Sequence, residues 1–142
     1  MKVYIIRGAP GTGKTTEARK IMDKNKNAVH CSADNYFYEV AAENGTSYLE
    51  EFKRWLVGKA HQFCWGAFIH ALVVVGEETI IVDNTNTYKW EYENYVLLSK
   101  QLGYEVEIIT TDMSESAEVY YERNTHGVPL EVIQRMLREF EH

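Results

Sequence analysis

The chain has 142 residues, and its 21 aspartates and glutamates outweigh 15 lysines and arginines to give a formal charge of −6. That balance excludes a nucleic-acid binder with a broad basic footprint, so a nucleic-acid partner would be held by a local patch, weakly, or near its end. Hydrophobic content of 45% with 25% charged residues is ordinary for a globular protein, and the length predicts one domain over residues 1–142. The most apolar stretch, Phe63 to Val75, contains His70 and is too short to span a bilayer. Lys2 is followed by only four apolar residues before Arg7, so no secretory signal is expected. These features predict a cytoplasmic chain with no membrane partner. Cys31 and Cys64 fit no zinc spacing and sit among apolar residues, which predicts buried free thiols with no disulfide partner.

In chain order, Val3 to Ile6 reads as a buried parallel strand, and Gly8 to Lys14 as a loop. A helix follows to about Lys24. Ala28 to Ser32 is a short second strand. Asp34 follows its end, which places it near the glycine loop if strand 2 lies close to strand 1. Tyr38 to Tyr48 is polar and contains Gly45, as a mobile flap would. A short helix is expected over Tyr48 to Val57, closed near Gly58, and a long apolar one over Lys59 to Val75 with Gly76 as its cap. Periodicity alone leaves a strand open for Leu72 to Val75; the strand that follows at Thr79 to Val82 favours the helix. Tyr88 to Leu102 has helical spacing on one face and is ended by Gly103. Tyr104 to Ile109 reads as strand 4. Asp112 to Glu115 resembles a capping box opening a helix to about Arg123. Pro129 then suits the first turn of a last amphipathic helix. This alternation predicts an α/β fold with a parallel sheet of about four to five strands and helices on both faces, in three layers, α/β/α.

Gly8-Ala9-Pro10-Gly11-Thr12-Gly13-Lys14-Thr15 fits the P-loop pattern, and it has a strand before it and a helix start after it. Glycines let backbone N–H groups curl into an anion nest, and the helix N-terminus adds its positive dipole end. Lys14 would bring its charge to the outer phosphates of ATP, and Thr15 a hydroxyl to Mg²⁺. Asp83, directly after an apolar strand, has the form of a Walker B acid and would help hold Mg²⁺ through water; alternatively Asn84 to Thr87 forms a polar turn or caps the next helix.

GAPGTGKTT at Gly8–Thr16, SADNYF at Ser32–Phe37, IIVDNTNT at Ile80–Thr87, GYEVEII at Gly103–Ile109 and RNTHGVP at Arg123–Pro129 together resemble the P-loop polynucleotide 5′-hydroxyl kinase family. The likeness is to the kinase domain of phage polynucleotide kinase and of NEDD4-binding-protein-2-like proteins, and it covers nearly the whole chain. It implies an ATP-dependent kinase that transfers the γ-phosphoryl group to a 5′-hydroxyl of DNA or RNA. Gly8, Ala9, Pro10, Gly11, Thr12, Gly13, Lys14, Thr15 and Thr16 would then bind the nucleotide, with Thr15 and Asp83 at Mg²⁺. By the same resemblance Lys14, Asp34 and Arg123 are catalytic. Asp34 matches the carboxylate that receives the hydroxyl proton, and Arg123 an arginine on a lid over the phosphates. A plain turn-capping role for Asp34 and an exposed helix-end role for Arg123 are the alternatives.

One departure bears on the substrate. Where the phage family has basic neighbours of the aspartate, this chain has Ala33 and Phe37. Tyr36, Phe37 and Tyr38 would stack a terminal base or pack as a core edge. The departure favours, as alternatives, a kinase of a nucleoside, nucleotide or metabolite. A nucleotide-binding switch with slow hydrolysis is the remaining alternative. His61 and His126 read as structural or loop residues, and Arg135 and Arg138 as solvated helix residues.

Overall fold

Runs such as Val3-Tyr4-Ile5-Ile6 and Ile80-Ile81-Val82 are apolar on both faces, so a strand made from them must be covered from two sides. The computed structural model, which describes residues 1–142, meets that requirement. Strands β1 (Lys2–Arg7), β2 (Val29–Cys31), β3 (Thr79–Asp83) and β4 (Glu105–Thr110) form one parallel sheet in the order β2-β3-β1-β4. Ile5 pairs with Val82 on one side and Ile108 on the other, and Cys31 pairs with Val82. Alternation sorts the side chains. Val3, Ile5, Ile80 and Val82 face Cys64 and Phe68 of helix α4 (Val57–Ile69) and Tyr95 of α5 (Glu93–Gln101). Ile6 and Ile81 face Ala18 and Ile21 of α1 (Lys14–Lys24). The result is the three-layer α/β/α sandwich. Cys31 and Cys64 are both buried free thiols, and burial pushes the Cys31 thiol up to about 12.

The segment expected as a flap is a helix. α2 (Asp34–Asn44) turns Phe37 and Ala41 into the protein and ends on Gly45, whose φ of 67° is left-handed. Its polar residues are the solvent face of an amphipathic helix, which in so short a segment resembles loop composition. The helix expected over Tyr48 to Val57 is broken: α3 (Tyr48–Glu51) is capped by Ser47, and a 3₁₀ turn covers Arg54–Leu56. α4 then runs through Gly58 and continues as a π-helical turn over His70–Val75, capped by Gly76. The N–H groups of Gly76 and Glu77 both donate to the Ala71 carbonyl, so helix rather than strand prevails there. Tyr88 to Leu102 divides into a 3₁₀ turn at Lys89–Glu91 and α5, with Leu102 exposed.

Asp112 opens no helix. Its carboxylate accepts the Ser114 N–H at 2.9 Å, and the Glu115 N–H donates to the Tyr120 hydroxyl at 2.8 Å. The chain therefore enters α6 (Ala117–Arg123) three residues after Ser114. Pro129 sits at the N-cap of α7 (Leu130–Glu139), and Ala117, Tyr120 and Ile133 join α6 to α7. No helix is long and apolar enough to cross a membrane.

Arg7, at the end of β1, is 2% exposed. It donates to the carbonyls of Asn86, Thr87 and Glu141 and lies between the rings of Tyr92 and Phe140, 4.6 and 4.5 Å from their centroids. One guanidinium thus ties the C-terminal segment to the strand that feeds the glycine loop. Arg7→Leu strands those buried carbonyls, and a loss of about 3 kcal/mol in urea unfolding is expected. A loss under about 1 kcal/mol would show that water replaces the donor without penalty.

Candidate active site

The Gly8–Lys14 turn is fixed by its own backbone and by its neighbours. The Gly8 N–H donates to the Thr85 carbonyl at 3.0 Å, and the Thr12 N–H returns to the Ala9 carbonyl at 3.3 Å. Gly11 and Gly13 have φ of 81° and 97°, and Gly13 is the N-cap of α1. The Thr12 and Thr111 hydroxyls are 2.6 Å apart, which joins the loop to the chain leaving β4. The Lys14 ammonium donates to the Ala9 carbonyl at 3.2 Å. Burial lowers its pKa from the usual lysine range, while Asp83 and Asp34 pull it upward. Both carboxylates therefore act on the loop lysine.

A cavity of about 890 Å³ lies at the C-terminal edge of the sheet, lined by Pro10, Gly11, Gly13, Lys14, Thr15, Thr16, Asp34, Asp83 and Arg123. Gly8, Ala9 and Thr12 stand behind its wall: Ala9 is fully buried, and a Cβ on Gly8 would lie 2.0 Å from the Thr111 hydroxyl oxygen. Strand 2 is not beside strand 1, because β3 lies between them. Asp34 still reaches the cavity because parallel strands deliver all their C-terminal ends to one edge.

The end of β3 positions both acids. Asp83 is 6% exposed, and its Oδ2 is 2.9 Å from His30 Nε2, which fixes the carboxylate's direction. The Asn84 side-chain carbonyl accepts the Ala33 N–H at 2.9 Å, pinning the entrance of α2 one residue before Asp34. Asn86, at φ 46°, donates to the Ile6 carbonyl at 2.9 Å. Asn84 and Asn86 are thus cross-ties between strands and do not cap the following helix.

Asp34 accepts the Tyr48 hydroxyl on Oδ1 at 2.7 Å, and its Oδ2 lies 3.5 Å from His126 Nδ1. Burial and the Asp34 charge push the Tyr48 hydroxyl well above the usual tyrosine range, so it remains a donor. Phe37 is 2% exposed and packs on Tyr48 and Phe52, so it belongs to the core edge. Tyr36 packs against Phe37 and Phe63, and Tyr38 is exposed.

The cavity wall includes Arg19 and Arg54, which carry no sequence signal, and three residues expected to be structural, loop or solvated: His61, His126 and Arg135. Arg135 is exposed on its helix, as expected, but faces this space. Five basic side chains (Lys14, Arg19, Arg54, Arg123 and Arg135) meet three acids (Asp34, Asp83 and Glu131), so the cavity is locally basic in a chain of charge −6. Net charge averages over such a patch and hides it. His126 was visible within RNTHGVP, but its partner was not. Tyr48 gave no sequence signal, since only the packing of α2 on α3 brings it to Asp34.

The donor set fits a magnesium nucleotide. Glycines with left-handed φ and the N-terminus of α1 present amides to an anion. Thr15 and Asp83 both line the cavity, where a hydroxyl and, through water, a carboxylate would serve the ion, while no group of three or more His, Cys, Asp or Glu side chains forms a protein-only cage. A few protein oxygens completed by phosphate and water is what Mg²⁺ takes.

A family profile described as AAA domain matches residues 3–142. The human NEDD4-binding protein 2 is 34% identical over 142 residues, covering 98% of this chain but 8% of the human protein. The chain is therefore a small part of that relative's length. A chain of the Pnkp1/Rnl/Hen1 RNA repair complex superposes with a TM-score of 0.67 at 18% identity, over 98% of this chain and 43% of that one. A gluconokinase from Sinorhizobium meliloti superposes with a TM-score of 0.60 at 16% identity, over 99% and 75%. These likenesses establish a P-loop, kinase-like fold.

Proposed function

We propose, from the premise that this chain belongs to the AAA-domain family of P-loop proteins, that it is an ATP-dependent kinase whose acceptor is the 5′-hydroxyl of DNA or RNA. One observation carries the reading: the Asp34 carboxylate and the loop lysine share one cavity, close enough for Asp34 to act on the Lys14 charge. A phosphoryl acceptor bound at Asp34 would face the end of a triphosphate bound at the loop.

The residues divide the work. Within the Gly8–Thr16 segment the amides of Gly11 and of Gly13 to Thr16, which line the cavity, cradle the β- and γ-phosphates, and Lys14 leaves the Ala9 carbonyl to reach them. Thr15, and Asp83 through water, would hold Mg²⁺, which would supply charge neutralisation on the transferred group. Asp34 orients the acceptor hydroxyl in line and takes its proton as the new P–O bond forms and the bond from the γ-phosphorus to the β–γ bridging oxygen breaks, with ADP as the leaving group. Arg123, with Arg19 and Arg135 on the same wall, opposes the charge spreading over the phosphoryl oxygens. Arg54, in the 3₁₀ turn, and His61, in the first turns of α4, supply the acceptor side with the basic groups that Ala33 and Phe37 cannot. This supports a substrate carrying a phosphate beyond its terminal nucleoside.

A second reading, a kinase of a nucleoside, nucleotide or metabolite, is favoured by the uncharged residues flanking Asp34. One experiment separates the two. The protein is incubated with γ-labelled ATP, Mg²⁺ and a 5′-hydroxyl oligonucleotide, with free nucleosides as competitors. Label is expected on the oligonucleotide and is expected to persist under nucleoside excess. Label on the nucleoside alone moves the assignment to the small acceptor. No transfer to either would remove the kinase reading.

A further inference from the structure

We propose that His126 is a positioning residue for Asp34: its Nδ1–H holds the Asp34 carboxylate in line, and its Nε2 is held in turn by the Tyr38 hydroxyl. The proposal rests on reading Asp34 as the acceptor-side carboxylate. His126 belongs to the loop between α6 and α7, three residues after Arg123, whereas Tyr38 and Asp34 belong to α2. Both the loop and the start of α2 line the cavity.

The proton assignment follows from chemistry. An ionised carboxylate only accepts, so the nitrogen facing Asp34 Oδ2 must carry hydrogen. The other nitrogen of a neutral ring must then accept, and the Tyr38 hydroxyl lies 2.8 Å from Nε2. Burial and the Asp34 charge raise the Tyr38 pKa, so its O–H is retained. The Nδ1–Oδ2 separation is 3.5 Å, a contact that must shorten to become a hydrogen bond, as catalytic contacts do when substrate binds. The His126 ring also lies on Tyr48, centroids 4.5 Å apart, and Tyr48 donates to the other Asp34 oxygen at 2.7 Å. One carboxylate oxygen thus has the Tyr48 hydroxyl of α3 as its donor, and the other faces Nδ1 from the loop after Arg123. The remaining lone pairs are directed at the acceptor, and only while that loop lies over α2. The loop that carries the phosphate-facing arginine would in this way also set the base.

The test uses the full chain and three substitutions. His126→Asn keeps a donor near Nδ1. His126→Phe keeps the ring on Tyr48 and removes both nitrogens. Tyr38→Phe removes the outer hydroxyl. Phosphoryl transfer is measured at saturating oligonucleotide, with KM for ATP. The expected result is a kcat lowered by roughly 10- to 100-fold in His126→Phe, the rate equivalent of one hydrogen bond to a charged group. Most of that loss is recovered in His126→Asn, with KM for ATP unchanged in both. An unaltered kcat in His126→Phe, or an Asn variant as slow as the Phe variant, overturns the proposal. A second readout needs no catalysis. The imidazole ¹⁵N shifts of His126 at neutral pH are expected to report the Nδ1–H tautomer in the wild type and a move toward Nε2–H in Tyr38→Phe. An Nε2–H tautomer in the wild type overturns the proposal. If the wild type transfers no phosphoryl group, the kinase reading falls, and the ¹⁵N shifts still decide the contact.

Discussion

Asp34→Ala is expected to lower kcat for phosphoryl transfer by about 10²- to 10⁴-fold while ATP binding is kept. The split follows from where Asp34 stands. It begins α2, opposite the loop, and none of the hydrogen bonds that shape the loop involve it. Its loss removes the group that orients the acceptor and leaves the amide nest intact. It also removes one of the two carboxylates that favour the charged form of Lys14. Asp83 remains for that purpose. Asp34→Asn is the sharper control, because an amide oxygen can still accept from Tyr48 but takes a proton poorly. Nucleotide affinity by fluorescence or calorimetry, beside single-turnover transfer, makes the measurement. An Asn variant with wild-type turnover would reduce Asp34 to a structural cap and withdraw the mechanism.

A large effect on stability is expected at Gly11, a position the P-loop pattern leaves free. Its φ is 81°, and a Cβ there would lie 2.2 Å from the Tyr120 carbonyl oxygen, a backbone atom of α6. A left-handed L-residue costs about 1–2 kcal/mol, and displacing the helix adds roughly 1–3 kcal/mol. Gly11→Ala should therefore destabilise the nucleotide-free protein by about 3 kcal/mol in urea unfolding. Gly13→Ala provides the comparison. Its φ is 97°, but nothing lies within 4 Å of a Cβ there, so only the conformational part, about 1–2 kcal/mol, is expected. Equal losses in the two variants would mean that α6 yields freely and does not press on the loop.

The same two glycines show what kind of information a sequence holds. Gly13 is legible because the motif demands it, and its reason is local: a left-handed residue capping a helix. Gly11 is not, because its reason is a backbone more than 100 residues away in the chain. The strands were legible for a similar reason to Gly13. Burial on both faces requires an unbroken apolar run in β1 and β3, whereas the edge strands β2 and β4 are partly exposed and show a short or alternating pattern. All four lie within a residue or two of their expected bounds. The polar α2 was misread because half its residues face water and eleven positions are too few for the pattern to emerge.

The amino-acid sequence thus determined the glycine loop and the three-layer α/β/α fold, since each follows from residue type and near neighbours, and it placed Lys14, Thr15, Asp34 and Asp83 at or after the strand ends that border one cavity. The strand order was decided only in three dimensions, and so was the basic wall of Arg19, Arg54 and Arg135. The approach of Tyr48 and His126 to Asp34 belongs with them. Those features come from side chains far apart in the chain that meet because parallel strands end at one edge. No local pattern encodes a meeting of that kind.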